Sequence, residues 1–203
     1  MGLTEEFEKI YWALDKDVLG LDEAGRGPMA GPCVVCGVIF PKGYDNPLIN
    51  DSKKLSDKKR QEIVEVIYQD AKAYQIEVVS VETIDELNIY KATQMAMEKI
   101  ARDLNASVVL SDAMPLNVEN KEVVSIVKGD ARSISIAAAS IIAKTVRDAM
   151  MIELDAKYPK YGFKNHKGYG TKAHKEAILK YGRTSAHRKS FRFKEEVQMS
   201  LDI

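Results

Sequence analysis

The chain has 203 residues with 30 basic and 30 acidic side chains, so its formal net charge is zero. This length is sufficient for one sizeable core, and 45% hydrophobic with 30% charged residues is typical of a soluble globular protein. The longest apolar stretch, residues 33–40, is too short to cross a bilayer, and the Glu-rich start differs from a signal peptide. We therefore expect a cytoplasmic protein that does not bind membranes.

The predicted elements begin with a strand that ends at Asp22, followed by a glycine-rich turn and a second strand at residues 33–40. Cys33 and Cys36 both lie in the second strand, where residues three apart point to opposite faces. The chain has no second cysteine pair that would complete a zinc site. We therefore expect two buried, reduced thiols rather than a metal or redox site.

The middle of the chain alternates helices and strands. Ser56 is predicted to cap a helix that extends to about Tyr74, and a strand follows at residues 76–81. Thr83 and Glu86 form a plausible capping box for the next helical stretch. The long part of that stretch covers about residues 89–104, and its predicted inward face consists of Ala92, Met95, Ala96 and Ile100.

Two further strands, at residues 108–112 and 123–127, precede a helix predicted from Ser133 to about Leu154. Successive strands combined with strand–helix alternation indicate an α/β fold with a mixed sheet flanked by helices. A short helix capped by Thr171 indicates a small C-terminal helical extension. We expect residues 1–155 to form the core and residues 156–203 to pack on it as one unit.

Charge is distributed unevenly along this chain. Residues 157–194, hereafter the basic segment, contain 12 Lys and Arg but a single acid, Glu176, which gives a net charge of +11. The rest of the chain therefore carries −11. Seven aromatic residues are interleaved with these basic residues, which argues against a disordered tail. A basic block of this kind favours a polyanionic partner, above all nucleic acid.

Four acids follow three of the predicted strands: Asp22, Glu23, Asp112 and Asp130. Ligand sites of open α/β sheets form beyond the carboxyl ends of strands. Four carboxylates at one edge would repel each other unless cations lay between them. Hard divalent cations prefer oxygen ligands, so the pattern predicts a hydrolase that depends on Mn²⁺ or Mg²⁺.

A flexible turn containing Gly25, Arg26 and Gly27, hereafter the glycine loop, follows the first acid pair. Adjacent residues of a regular strand point to opposite sides, so we expect the chain to bend between Asp22 and Glu23 if both acids serve one site. The glycines would let backbone N–H groups approach a ligand, and Arg26 would contact phosphate or ribose. A dinucleotide-binding reading fails because a strand, not a helix, follows.

Several strings together resemble bacterial ribonuclease HII, the type 2 ribonuclease H family. They are GLDEAGRGP at residues 20–28, DSKKLS at 51–56, KGDA at 128–131, IAAASIIAK at 136–144, GYGTKAH at 168–174 and HRKSF at 187–191. The resemblance implies a ribonuclease H-like fold with the same four acids around divalent metal. It also implies cleavage of RNA in RNA–DNA hybrids, including single ribonucleotides in duplex DNA, with 3′-hydroxyl and 5′-phosphate products.

The same resemblance assigns recognition of the ribose to the glycine loop and to Tyr169. Additional candidates for substrate contacts are Lys53, Ser133 and His174, the last either as a phosphate contact near a helix start or as a structural group. One departure is Ala113, which follows Asp112 where family members usually carry glycine. Alanine does not readily adopt positive φ, so the expected departure concerns the turn after the acid.

The last six residues suggest a protein partner. Gln198, Met199, Leu201 and Ile203 lie in a stretch that alternates polar and apolar residues. It resembles the peptides by which bacterial replication and repair proteins dock on the sliding clamp, with the three apolar residues as anchors in a groove. The alternatives are a frayed tail or an edge strand packed on this chain. For the protein itself we expect a monomer.

Three rival functions fit the sequence less well. A resolvase or integrase core of the same fold would not be expected to need both the glycine loop and Tyr169. A non-catalytic hybrid-binding module has no use for four converging acids, which without metal would repel nucleic acid. A small-molecule phosphatase fits poorly with the basic segment. A further acid, Asp148, lies beside Arg147 in the predicted long helix and is interpreted as structural.

Overall fold

The computed structural model describes residues 6–50 and 55–196, in which five strands form one mixed sheet. The strands are β1 (Val18–Ala24), β2 (Cys33–Ile39), β3 (Ala73–Val79), β4 (Val108–Asp112) and β5 (Glu122–Ile126). Their order across the sheet is β3-β2-β1-β4-β5. The pairs β1–β2 and β2–β3 are antiparallel, whereas β1–β4 and β4–β5 are parallel. The predicted mixed sheet is therefore confirmed.

The helices cover both faces of this sheet. They are α1 (Glu6–Trp12), α2 (Asp57–Asp70), α3 (Val81–Leu87), α4 (Ile89–Asp103), α5 (Ile134–Lys157), α6 (Phe163–His166) and α7 (Lys172–Tyr181). One core cluster joins α2 and α5 to the face that contains Cys36, and another joins α3 and α4 to the face that contains Cys33. Both cysteines are free and fully buried, as predicted.

Helix α5 packs closely on β1 because small side chains meet at the contact. Ala137, Ala138 and Ala139 are all fully buried in α5. A Cβ atom added at Gly20 of β1 would overlap the backbone of Ser135 at the start of this helix. The close approach holds the C-terminal end of β1 beside the first turns of α5, where the candidate site forms.

The helix caps confirm part of the sequence prediction. Ser56, Ser133 and Thr171 each accept a hydrogen bond from a backbone N–H in the first turn of the helix that follows. The capping box at Thr83 is wrong, since Ser80 caps α3 by accepting from Thr83 N. In α4, Met95 is 45% exposed rather than inward.

The predicted end of α2 is also wrong. The helix ends at Asp70, and Tyr74 lies in β3, which begins at Ala73. Pairing of β3 along the whole of β2 recruits these residues into the sheet. Tertiary pairing therefore overrides the helical periodicity that continues to Tyr74.

Beyond α5, residues of the basic segment pack on the core through a third apolar cluster. Met29, Ala30 and Met151 meet Tyr161, Phe163, Ala177 and Phe193 there. The predicted boundary at residues 155 and 156 falls within α5, so a continuous helix links the two parts. Among the helices of residues 6–50 and 55–196, none has the length and apolar character needed to cross a bilayer.

Candidate active site

A cavity of about 420 Å³ opens beyond the C-terminal ends of β1 and β4, and we call it the acidic cleft. Asp22, Glu23 and Asp112 line it. The parallel register pairs Leu21 of β1 with Ser111 of β4, so Asp22 and Asp112 both follow the last paired residues. The ends of β1 and β4 therefore bring these three acids to one cavity, as predicted from the sequence.

The predicted bend between the first two acids is wrong. Strand β1 continues to Ala24 and pairs regularly with β2, with Asp22 opposite Cys36 and Glu23 opposite Val35. Both acids nevertheless line the acidic cleft, because the cleft surrounds the end of the strand rather than one face of it. The N–H of Glu23 donates to Asp22 Oδ1 at 2.7 Å.

Burial and neighbouring charge act together on Asp22, which is only 5% exposed. Desolvation raises the pKa of Asp22 well above its usual value, and the negative charges of Glu23 and Asp112 raise it further. A hydrogen bond from Ser140 of α5 opposes that shift. A carboxylate held in this way binds either a proton or a cation more favourably than an isolated carboxylate does.

The fourth acid lies next to this group rather than in the lining of the cleft. Gly129 donates its N–H to Asp112 Oδ1 at 2.8 Å, and Asp130 follows it in a short 3₁₀ turn (Gly129–Ala131). Asp130 is 4% exposed. Gly129, the residue before Asp130, is thus hydrogen-bonded to Asp112.

The donor set is suited to a hard divalent cation, because it consists of carboxylate oxygens. No group of three or more His, Cys, Asp or Glu side chains within residues 6–50 and 55–196 forms a compact metal-ligating cluster. Asp22, Glu23 and Asp112 instead line a cavity from two adjacent strands. The pKa of Asp22 is raised first by burial and then by repulsion from Glu23 and Asp112, and a bound cation would relieve that repulsion.

Four cationic side chains also line the acidic cleft: Arg26, Arg60, Lys144 and Arg147. Arg26 Nη1 lies 3.3 Å from Glu23 Oε1. Lys144 and Arg60 both contact Asp148, at 2.6 and 3.4 Å. Asp148 therefore has a structural role in pairing cations from α2 and α5, as interpreted from the sequence.

The glycine loop and Tyr169 face each other across the cleft, although 142 positions separate Gly27 from Tyr169. A Cβ atom added at Gly27 would lie 3.6 Å from Cε1 of Tyr169, which is 47% exposed. Gly25 has φ of +100°, which a side chain would strain. The structure therefore brings together all four of these sequence-predicted residues, Gly25, Arg26, Gly27 and Tyr169.

Ser133 and His174 lie elsewhere, so the prediction that they contact substrate needs correction. Both are completely buried. Ser133 caps α5 and bonds to Glu8. His174 bonds to Tyr169 O at 2.9 Å and to His187 Nε2 at 3.1 Å. Neither side chain presents a free group to the surface.

Other predicted residues fall outside the part of the chain that the structure describes. They are Lys53, Gln198, Met199, Leu201 and Ile203.

The turn after the third acid is kept despite its alanine. Ala113 adopts φ of +52° and donates its N–H to Ile126 O at 3.0 Å. The left-handed conformation costs alanine about 1 kcal/mol. Ala113 in place of glycine therefore adds strain to the turn, and Asp112 still lines the acidic cleft.

Two buried arginines were missed by the sequence analysis. Arg147 and Arg188 are 1% and 0% exposed. Signals for them exist, since Arg147 interrupts a helix rich in alanine and isoleucine and Arg188 lies within the string HRKSF. The sequence does not reveal what either guanidinium contacts.

Comparisons with known proteins identify relatives of this chain. A sequence model of the family described as Ribonuclease HII matches residues 19–194. The Ribonuclease HII of Clostridioides difficile (strain 630) is 54% identical over 190 residues, which span 93% of this chain and 73% of that protein. The ribonuclease HII of Archaeoglobus fulgidus, solved as a complex with PCNA, has a TM-score of 0.75 at 27% identity and covers 88% of this chain and 96% of its own.

The fold extends to a more distant structure. Bst-RNase HIII, solved in complex with Mn²⁺, has a TM-score of 0.68 at 17% identity and covers 91% of this chain and 70% of its own. The chain therefore belongs to the ribonuclease HII family, metal-dependent nucleases that cleave the RNA strand of RNA–DNA hybrids.

Proposed function

We propose that this chain hydrolyses the RNA strand of hybrids and also cuts at single ribonucleotides embedded in duplex DNA, leaving 3′-hydroxyl and 5′-phosphate ends. It acts as a cytoplasmic monomer. The observation that carries the proposal is the joint lining of one cavity by three strand-end acids, the glycine loop and Tyr169. The acids suit phosphodiester hydrolysis, and the loop and ring suit recognition of a ribose.

Asp22, Glu23, Asp112 and Asp130 would hold two divalent cations, Mn²⁺ or Mg²⁺. When bound, such cations supply electrostatic stabilisation of the attacking and leaving oxygens of a phosphodiester. Ser140 holds Asp22 by a hydrogen bond, and Gly129 N–H holds Asp112, so two of the carboxylates are oriented by the fold. The Mn²⁺ complex of the distant ribonuclease HIII is consistent with this choice of ion.

Distinguishing RNA from DNA at one position requires recognition of a 2′-hydroxyl. The backbone amides of the glycine loop would bond this hydroxyl, and Arg26 would contact the adjacent phosphate. Tyr169 would stack on the neighbouring sugar. The 3.6 Å spacing between a Cβ position at Gly27 and the Tyr169 ring supports a narrow gap between loop and ring.

The basic segment would bind the backbone of the duplex. Its net charge of +11 contrasts with the remaining chain at −11. Lys172 and Lys175 line a second cavity, of about 350 Å³, together with Glu176, Glu195 and Gly170, the residue after Tyr169. Because the basic segment carries this excess of positive charge, we expect binding of the duplex to be sensitive to salt.

The test of the proposed chemistry is Asp130→Asn. This variant should abolish cleavage of a hybrid while leaving folding and hybrid binding largely intact, because it removes one negative charge from the metal-binding set. Asp155→Asn is a matched control, since Asp155 is also a buried aspartate, 9% exposed, but contacts Lys164 away from the cleft. Unchanged turnover of Asp130→Asn would remove Asp130 from the site.

We further propose that the C-terminal residues Gln198, Met199, Leu201 and Ile203 dock on a sliding clamp. The alternating sequence supports extended-peptide binding, and the archaeal relative was solved as a complex with PCNA. Deleting residues 198–203 should reduce clamp affinity without changing the rate of cleavage. Equal clamp affinity with and without these residues would end this part of the proposal.

A further inference from the structure

The guanidinium group of Arg188 is buried beneath the glycine loop and donates to its backbone carbonyls. Nη2 lies 2.6 Å from Gly25 O, and Nη1 lies 3.0 Å from Arg26 O. Nε and Nη2 also donate to Gly31 O at 3.0 and 2.8 Å. Burial lowers the pKa of Arg188 to about 10. The fold thus keeps a costly buried cation where its fork of donors fixes three carbonyl groups.

These contacts determine where the amide hydrogens of the loop point. In a trans peptide unit, the C=O of one residue and the N–H of the next lie on opposite sides. Because Arg188 holds the carbonyls of Gly25 and Arg26, the N–H groups of Arg26 and Gly27 point away from Arg188. Both residues line the acidic cleft. Within residues 6–50 and 55–196, no protein acceptor takes a hydrogen bond from either N–H.

We propose that Arg188 is a positioning residue that determines specificity for the 2′-hydroxyl, by aiming the N–H groups of Arg26 and Gly27 into the acidic cleft. This inference rests on the proposed function, in which the loop amides bond that hydroxyl. Arg188 itself does not touch the substrate, since its side chain is buried and its donors contact protein carbonyls.

A second set of contacts links the segment around Arg188 to Tyr169, the other residue proposed to recognise the ribose. His187 Nδ1 accepts from Thr184 N at 2.9 Å, so Nε2 carries the proton and donates to His174 Nε2 at 3.1 Å. His174 Nδ1 then donates to Tyr169 O at 2.9 Å. The residue after His187 is Arg188, so one hydrogen-bonded unit positions both the glycine loop and Tyr169.

The main chain strengthens this unit. Arg188 N donates to Met29 O at 2.9 Å, and Met29 N donates to Gly168 O at 2.8 Å. Arg147 spans the same region, since it donates to Ala30 O at 3.2 Å and to Lys167 O at 3.0 Å. The loop after Gly27 is therefore held between the segments that carry Tyr169 and Arg188.

The test compares two duplexes that differ by a single 2′-hydroxyl, one all-DNA and one with a single ribonucleotide. Binding is measured by fluorescence anisotropy in Ca²⁺, with the duplex checked by gel to remain uncut. Wild type should prefer the ribonucleotide duplex. Arg188→Gln and Arg188→Lys should each reduce this preference by about tenfold, the effect of one lost or misplaced hydrogen bond, with little change for all-DNA.

Arg188→Lys retains the buried cation but cannot bond three carbonyls in a planar fork, so it separates geometry from charge. It also decides the test alone if Arg188→Gln does not fold. Arg192→Gln is the matched control, since Arg192 is an exposed arginine of the same segment. Losing its charge should weaken binding of both duplexes by the same factor and leave the preference unchanged.

The outcomes separate the inference from the proposed function. If wild type binds both duplexes equally, recognition of the 2′-hydroxyl fails and the inference fails with it. If wild type discriminates and both Arg188 variants keep the preference, only the role of Arg188 is overturned. Loss of preference in Arg188→Gln with full preference in Arg188→Lys would attribute the effect to charge and would also overturn the positioning role.

Discussion

The buried pair His174–His187 makes the stability of the protein depend on pH. The two rings are 0% and 2% exposed. Burial lowers the pKa of each to about 4 from the ordinary value of 6.5. The unfolded chain therefore binds more protons than the folded chain between these two values, so the free energy of unfolding falls as pH is lowered through that window.

The size of the effect follows from the two pKa values. Between about pH 7.5 and about pH 5, a ring whose pKa moves from 6.5 to about 4 on folding loses about 2 kcal/mol of stabilisation. The pair together should lose about 2 to 4 kcal/mol over this range. A typical domain has a net stability of only about 5–15 kcal/mol, so this loss would be a large fraction of the stability of the protein.

Urea unfolding followed by circular dichroism, at a series of pH values, measures this change. Carboxylates also begin to titrate near pH 5, and the double variant His174→Gln with His187→Gln controls for them. It should be less stable at neutral pH, and its stability should vary less with pH than that of wild type. Parallel pH profiles for wild type and the double variant would refute the neutral buried pair.

Three further predictions concern packing, the cleft and salt. Gly20→Ala should lower the free energy of unfolding, measured with denaturant, by more than about 3 kcal/mol, because the added methyl group overlaps the backbone at Ser135. Gly43→Ala is the control, since Gly43 has open space around it, and it should lower the free energy of unfolding by only about 1 kcal/mol. Gly27→Ala should leave the melting temperature unchanged but slow cleavage by about tenfold, because the added methyl group narrows the gap between the glycine loop and the ring of Tyr169. An unaltered rate of cleavage would show that the substrate does not enter this gap. Affinity for duplex DNA should fall linearly in a plot of log affinity against log salt, and a flat plot would contradict backbone binding by the basic segment.

The acids of the site could be predicted from sequence because each follows a short apolar run. Strands of this kind are recognisable locally, and the carboxyl ends of the parallel strands β1 and β4 meet at one edge whatever the rest of the fold does. Caps such as Ser56 and Thr171 were predictable for the same reason, since a cap depends on the three residues that follow it.

Features that depend on distant contacts were not predictable. Tyr74 continues a helical pattern, yet pairing with β2 places it in a strand. His174 stands at the start of α7, where a phosphate contact seemed natural, but its ring packs inward against Phe163 and His187. Arg188 bonds to Gly25, 163 positions earlier in the chain, and no local pattern reports such a contact.

Cleavage of a DNA duplex carrying one ribonucleotide, with and without divalent metal, tests the central claim most directly. We expect a cut at the ribonucleotide only when Mn²⁺ or Mg²⁺ is present, with 3′-hydroxyl and 5′-phosphate ends, and no cut in the otherwise identical all-DNA duplex. Equal cleavage after complete chelation of metal, or cleavage of the all-DNA duplex at the same position, would contradict it.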